Sequence, residues 1–117
     1  MLAAIPLLML GAMACAVEAG PVPAFHTDVQ PILTERCVKC HGPEKAKAAL
    51  RLDSLAAVLK GSDEGPVAEA GKPESSVLLK LVSLPVDDGE RMPPKGEPLT
   101  AEQIAILRLW IAGGMKE

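Results

Sequence analysis

Residues 35–42 read ERCVKCHG. Two thiols three positions apart, followed at once by an imidazole, admit three chemistries: a redox dithiol, half of a zinc site, or a covalent haem attachment point. Each makes a different demand on the rest of the chain. A structural zinc needs four ligands, and beyond Cys37, Cys40 and His41 the mature chain offers only His26, in the same short region. A thioredoxin-like dithiol needs its cysteines at a helix amino terminus beside a strand, where the helix dipole stabilises thiolate; here they close a helical pattern. Haem attachment needs two thiols to add across the vinyl groups and an adjacent imidazole to reach the iron, and C-x-x-C-H supplies all three. The haem reading leads, with the dithiol as its rival.

The amino terminus sets the compartment. Residues 1–17, MLAAIPLLMLGAMACAV, carry no charged side chain. A short apolar run broken by Pro6 and followed by small residues fits a secretory leader better than a bilayer span. Residues 1–19 are read as that leader and 20–117 as the domain. AMAC, ending at Cys15, resembles a lipoprotein box with a possible lipid anchor on Cys15, whereas ACA and VEA resemble ordinary peptidase sites; soluble release is the expectation. The remaining alternative is an uncleaved leader that anchors the chain to the membrane by its amino terminus; on every route the domain is periplasmic or otherwise exported. Export implies an oxidising compartment, yet a Cys37–Cys40 disulfide would close too small a loop to restrain the unfolded chain.

Composition points the same way. Glu18 is the only charge in the leader, so 12 basic and 14 of the 15 acidic side chains belong to residues 20–117, a net charge of −2. Nothing there favours nucleic acid. Only Phe25 and Trp110 are aromatic, so the core must be built from aliphatic side chains, which is marginal at this size. A buried macrocycle would supply the missing apolar bulk.

Outward from the motif the chain reads as all-α. Thr27 and Gln30 have capping-box spacing, and Val29, Ile32, Leu33, Cys37 and Cys40 recur at helical intervals; Pro31 is tolerable only near the first turn. A second helix is predicted over SLAAVLKG, capped by Ser54, stopped by Gly61, with Leu55, Val58 and Leu59 on one side. Residues 61–73 read as loop. A third helix follows Pro73, with Val77, Leu78, Leu81 and Val82 on its apolar side. Prolines at 85, 93, 94 and 98 make PVDDGERMPPKGEPL a stiff, extended loop. Thr100 and Gln103 repeat the capping-box spacing before a last helix carrying Ile104, Leu107, Trp110 and Ile111, ended by Gly113 and Gly114.

If haem is attached at Cys37 and Cys40 with His41 on the iron, the other axial position decides between electron transfer and ligand chemistry. Met92 is the candidate: Pro93 restricts its backbone, so a soft thioether can be held with little entropy left to lose. The plainer role for it is loop filler. Met115, beyond the helix-stopping glycines, is expected in a frayed tail. His26 is the rival ligand, disfavoured because it stands just before the helix that ends in Cys37. Arg51 is a candidate partner for a haem propionate, with a solvated arginine as the alternative. Trp110 is a candidate haem contact or propionate donor, with core packing as the alternative. Lys39, Lys45 and Lys47 would give the haem-proximal surface a positive field for an acidic redox partner, against an ordinary solvated surface.

The order of capped helix, CVKCHG, loop, RMPPKG and capped helix ending LWIAGG resembles class I c-type cytochromes. The segments DVQPILTERCVKCHGP, LRLDS, GKPESSVLLKLV, DDGERMPPKGEPLT and RLWIAGG make the chain most similar to the planctomycete-type cytochrome c domain, over most of residues 25–114. The resemblance implies thioethers to one haem c at Cys37 and Cys40, axial ligation by His41 and Met92, and crossed first and last helices. It departs in two respects, one being that KAAL precedes RLD where glycines are expected, which puts a close backbone approach there in question. The resembled domain usually heads longer exported proteins, and with the chain ending at Glu117 a free-standing carrier or a truncated gene is expected.

The expected function is single-electron transfer by a monomeric cytochrome c among extracytoplasmic redox proteins, with no enzymatic activity. The alternatives are a haem peroxidase or gas sensor with an open iron, and a haem-bearing interaction module of a larger complex.

Overall fold

The computed structural model describes residues 21–117; the leader 1–19, with Cys15, lies outside the described residues. Among the described residues the structure is helical with no strand, apart from two isolated bridges, His41 with Ala46 and Ser62 with Gly65. No helix there is long and apolar enough to cross a membrane.

The chain enters on a wide helical turn, Phe25–Val29, which runs into α1, Gln30–Arg36. The Thr27 capping box does not form. The Gln30 N–H reaches back five residues to the Phe25 carbonyl, because Pro31 has no N–H to give and its ring crowds the carbonyl one turn back. The entry is capped instead by Asp28, whose carboxylate accepts from the Ala24 N–H at 2.8 Å and from the Thr27 hydroxyl at 3.1 Å. Val29, Ile32 and Leu33 are buried, as their spacing predicts.

Ser54 caps α2, Leu55–Lys60, accepting from the Ala57 N–H at 3.1 Å, and Gly61 ends it at φ +83°. Val58 is buried, but Leu59, expected beside it, is 54% exposed: on six residues the apolar stripe is too narrow to bury both. A 3-10 turn, Pro73–Ser75, leads into α3, Val77–Val82. Buried Ser76 joins the two, accepting from the Glu69 N–H and donating to the Lys72 carbonyl, both at 3.0 Å. The last helix, α4, spans Ala101–Ala112 under a complete capping box of Thr100 and Gln103.

The core unites these pieces. Phe25 and Trp110 are both fully buried, with ring centroids 5.7 Å apart, so the entry turn packs against α4, which also contacts α3. The Phe25 N–H donates to the Lys116 carbonyl at 2.9 Å, and the Gly71 N–H to the Ile111 carbonyl at 2.7 Å. Met115, expected in a frayed tail, is buried and donates its N–H to the Trp110 carbonyl at 2.8 Å. The reversal at Gly114, φ +102°, folds the tail back onto the core.

Candidate functional site

α1 stops at Arg36, and Cys37 caps it. The Cys37 carbonyl then accepts from both the Cys40 N–H, at 3.2 Å, and the His41 N–H, at 2.9 Å. This single turn brings Cys37, Cys40 and His41 to one wall of a cavity of about 700 Å³. Both cysteines are free thiols. Burial pushes the Cys37 thiol up to about 11, against the opposing pull of the neighbouring Arg36 cation and with a smaller push from Cys40.

Gly42 is needed for the next step. A Cβ there would lie 2.4 Å from the Val38 carbonyl oxygen, so only glycine lets the chain double back on its own turn. The reversal is closed by the Gly42 N–H to the Lys45 carbonyl, at 2.7 Å, and by the Lys47 N–H to the Cys40 carbonyl, at 3.0 Å. It carries the Lys47 carbonyl to 3.1 Å from His41 Nδ1. A carbonyl can only accept, so Nδ1 carries the ring proton and Nε2 keeps its lone pair. That is the tautomer a metal-binding imidazole needs.

The Lys47 carbonyl is aimed by an unusual stretch of backbone. Ala48 and Ala49 both have φ +58°, the left-handed region that glycine occupies without penalty. The conformation expected of glycines at this point is thus present although the residues are alanines. Beyond it Leu50 and Leu52 are buried and line the cavity while Arg51 between them points out, the two-residue alternation of an extended chain. The Leu52 N–H ties this segment to the His41 carbonyl at 2.7 Å.

The remaining walls come from α3 and the proline-rich loop. Val77, 45% exposed to solvent, and half-buried Leu81 face the cavity beside buried Leu78 and Val82, so the whole stripe predicted for α3 lines it. Half-buried Met92, with Pro93 and Pro94, lines the same cavity. The Met92 N–H donates to the Leu81 carbonyl at 3.0 Å, fastening the start of its loop to α3.

Of the other residues singled out in the sequence, Lys39, Lys45 and Lys47 reach the cavity wall, together with Lys95 and Arg36; Glu35, Glu64 and Glu97 oppose them. Arg51, Trp110 and His26 are not among the lining residues. Arg51 grips Asp53 with two bonds, at 2.8 and 3.0 Å. That bond raises the guanidinium above its ordinary pKa and holds the Asp53 carboxyl below its own. The Trp110 indole N–H donates to the Lys116 carbonyl at 2.8 Å inside the core. His26 sits over Gln30, 3.3 Å from its carboxamide oxygen. Among the described residues no three His, Cys, Asp or Glu side chains are grouped so as to hold a metal by themselves.

Two arginines that the sequence reading passed over hold the methionine loop. Arg91 donates to the Pro93 carbonyl at 2.8 Å and to the Gly96 carbonyl at 3.2 Å. Arg36 donates to the Glu97 carbonyl, to the Pro98 carbonyl at 3.2 Å and to Gln103 Oε1 at 3.2 Å. Half of the signal was present: a loop with three prolines lacks N–H groups to pair its own carbonyls, and the adjoining Arg91 can replace them, whereas Arg36 lies 61 residues from Glu97 and nothing local points to it.

Two thiols, an imidazole with a free Nε2 and a thioether thus share one largely aliphatic cavity, within the ~300–1,000 Å³ range of cofactor sites. The donor set fits a covalently held haem: two thiols that would anchor it, with an imidazole nitrogen and a thioether sulfur within the same cavity. In comparison with known families, the planctomycete cytochrome C profile matches residues 37–96, just over half of the 117 residues. No curated protein and no solved structure matches the chain.

Proposed function

Because the chain belongs to the planctomycete cytochrome c family, we propose that it is an exported one-electron carrier built on a single haem c. The observation that carries this reading is the shared cavity: Met92, far from the CVKCH motif in sequence, lines the same space as Cys37, Cys40 and His41. A bound haem supplies an iron that takes up an electron as Fe(III) and yields it as Fe(II), with no bond made or broken in a substrate.

The chain's own residues do the rest. Cys37 and Cys40 would hold the ring as thioethers. His41 would offer Nε2 to the iron, its ring kept in orientation by the Lys47 carbonyl at the other nitrogen. Met92 would offer its sulfur as a second ligand, and a thioether favours a higher potential. Leu50, Leu52, Val67, Leu78 and Val82 keep water from the ring. The packing of the entry turn on α4 supports the class I cytochrome c arrangement. The leader supports export, and the lysines of the cavity wall support an acidic redox partner.

The ferric absorption spectrum tests the ligand pair. The haem-loaded protein should show the far-red methionine-to-iron charge-transfer band, and Met92→Ala should lose it while its ferrous form gains carbon monoxide binding. A wild type that binds carbon monoxide as readily as Met92→Ala would overturn the closed iron and favour the peroxidase or gas-sensor reading.

A further inference from the structure

Each buried or half-buried carbonyl must find a donor, and the loop after Met92 cannot supply its own. Among the described residues no main-chain hydrogen bond begins or ends within residues 93–99. Four carbonyls of this stretch, those of half-buried Pro93 and Pro98 and of exposed Gly96 and Glu97, are taken by two guanidinium groups. Ahead of the loop, Met92 is fastened by one main-chain bond to Leu81. Behind it, the main chain is held by arginine side chains up to buried Leu99.

The two arginines differ in reach. Arg91 folds over its own loop, spanning Pro93 to Gly96. Arg36 precedes Cys37 at the end of α1 and crosses to the far end of the loop. There it also meets Gln103 Oε1, which accepts from the Thr100 N–H in the α4 cap. The loop is thereby joined to the helix that bears the attachment motif and to the cap of α4.

We infer that Arg91 and Arg36 are positioning residues that latch the 92–98 loop and thereby set how often Met92 leaves the iron. The inference rests on the reading of Met92 as an axial ligand. A guanidinium fork can hold two carbonyls at once, whereas an ammonium is a point charge without that geometry. When the latch is intact, the methionine-off state is rare, and any external ligand binds with an affinity reduced by that rarity.

The experiment uses the haem-loaded protein and imidazole as the external ligand of the ferric iron. Arg91→Ala should bind imidazole about tenfold more tightly than wild type, the effect expected from losing one net charge-assisted bond. Arg91→Lys should move the same way by less, and Arg36→Lys should do likewise from the other end of the loop. Arg108→Ala, an exposed change on α4, should match wild type. Covalent haem content and far-ultraviolet circular dichroism establish that each variant is folded, and if Arg91→Ala is not, Arg91→Lys and Arg36→Lys are read in its place. Folded arginine variants with wild-type imidazole affinity, alongside a Met92→Ala that binds it strongly, would overturn the latch alone. A wild type already as open as Met92→Ala would overturn the ligand reading and the latch with it.

Discussion

A Cβ on Gly42 would lie 2.4 Å from the Val38 carbonyl oxygen and 2.7 Å from Val38 Cγ1. One of these obstacles is backbone, so the turn itself would have to shift. Gly42→Ala is expected to destabilise the haem-loaded protein by about 1–3 kcal/mol, the usual cost of forcing extra bulk into a packed site. A urea midpoint unchanged from wild type would show that the turn gives way freely. At this scale the motif was legible because thiol and imidazole chemistry is carried by residue type and spacing alone. The tautomer of His41 was not, since it depends on a carbonyl six residues away. Nor did spacing show that the polar atoms of Arg51 and Trp110 are engaged, one by Asp53 and the other by the Lys116 carbonyl.

Among the elements, the caps at Ser54 and Thr100 could be read directly, because each is a contact between residues three apart. The helix entry at Thr27 could not, because Pro31 widened the turn and moved the cap to Asp28. The KAAL segment is the more instructive case. Its two alanines hold a left-handed backbone that costs an L-residue about 1–2 kcal/mol, partly returned by the lower entropy of the unfolded alanine chain. Ala49→Gly is therefore expected to stabilise the protein by about 0.5–1 kcal/mol, with the far-red band unchanged because the Lys47 carbonyl stays in place. A lower urea midpoint would mean that the alanine methyl contributes packing that outweighs the strain.

For the whole molecule, one apolar cluster serves both ends: it holds Phe25, Trp110 and Met115 and also, through Leu50, Leu52, Val67, Leu78 and Val82, lines the cavity. The cavity is open to solvent, so without a ring to cover them the apolar side chains of its wall would face water, which costs about 25 cal/mol per Å² of apolar surface in a domain held by only ~5–15 kcal/mol. Protein expressed without haem attachment should accordingly be largely unfolded by circular dichroism. Native helicity in that form would show that the aliphatic core suffices without the macrocycle.

The attachment motif, the helical order and the candidate methionine followed from the sequence by itself, because they rest on residue chemistry and on contacts within one or two helical turns. The tertiary structure decided which of the singled-out residues share a cavity, why Arg51 and Trp110 stand outside it, and how a loop unable to bond to itself is held. Those depend on partners dozens of residues apart, such as Arg36 with Glu97 and Pro98, whose proximity no local spacing encodes. ERCVKCHG marks where a haem can be anchored, and the packing around it brings His41 and Met92 to one cavity.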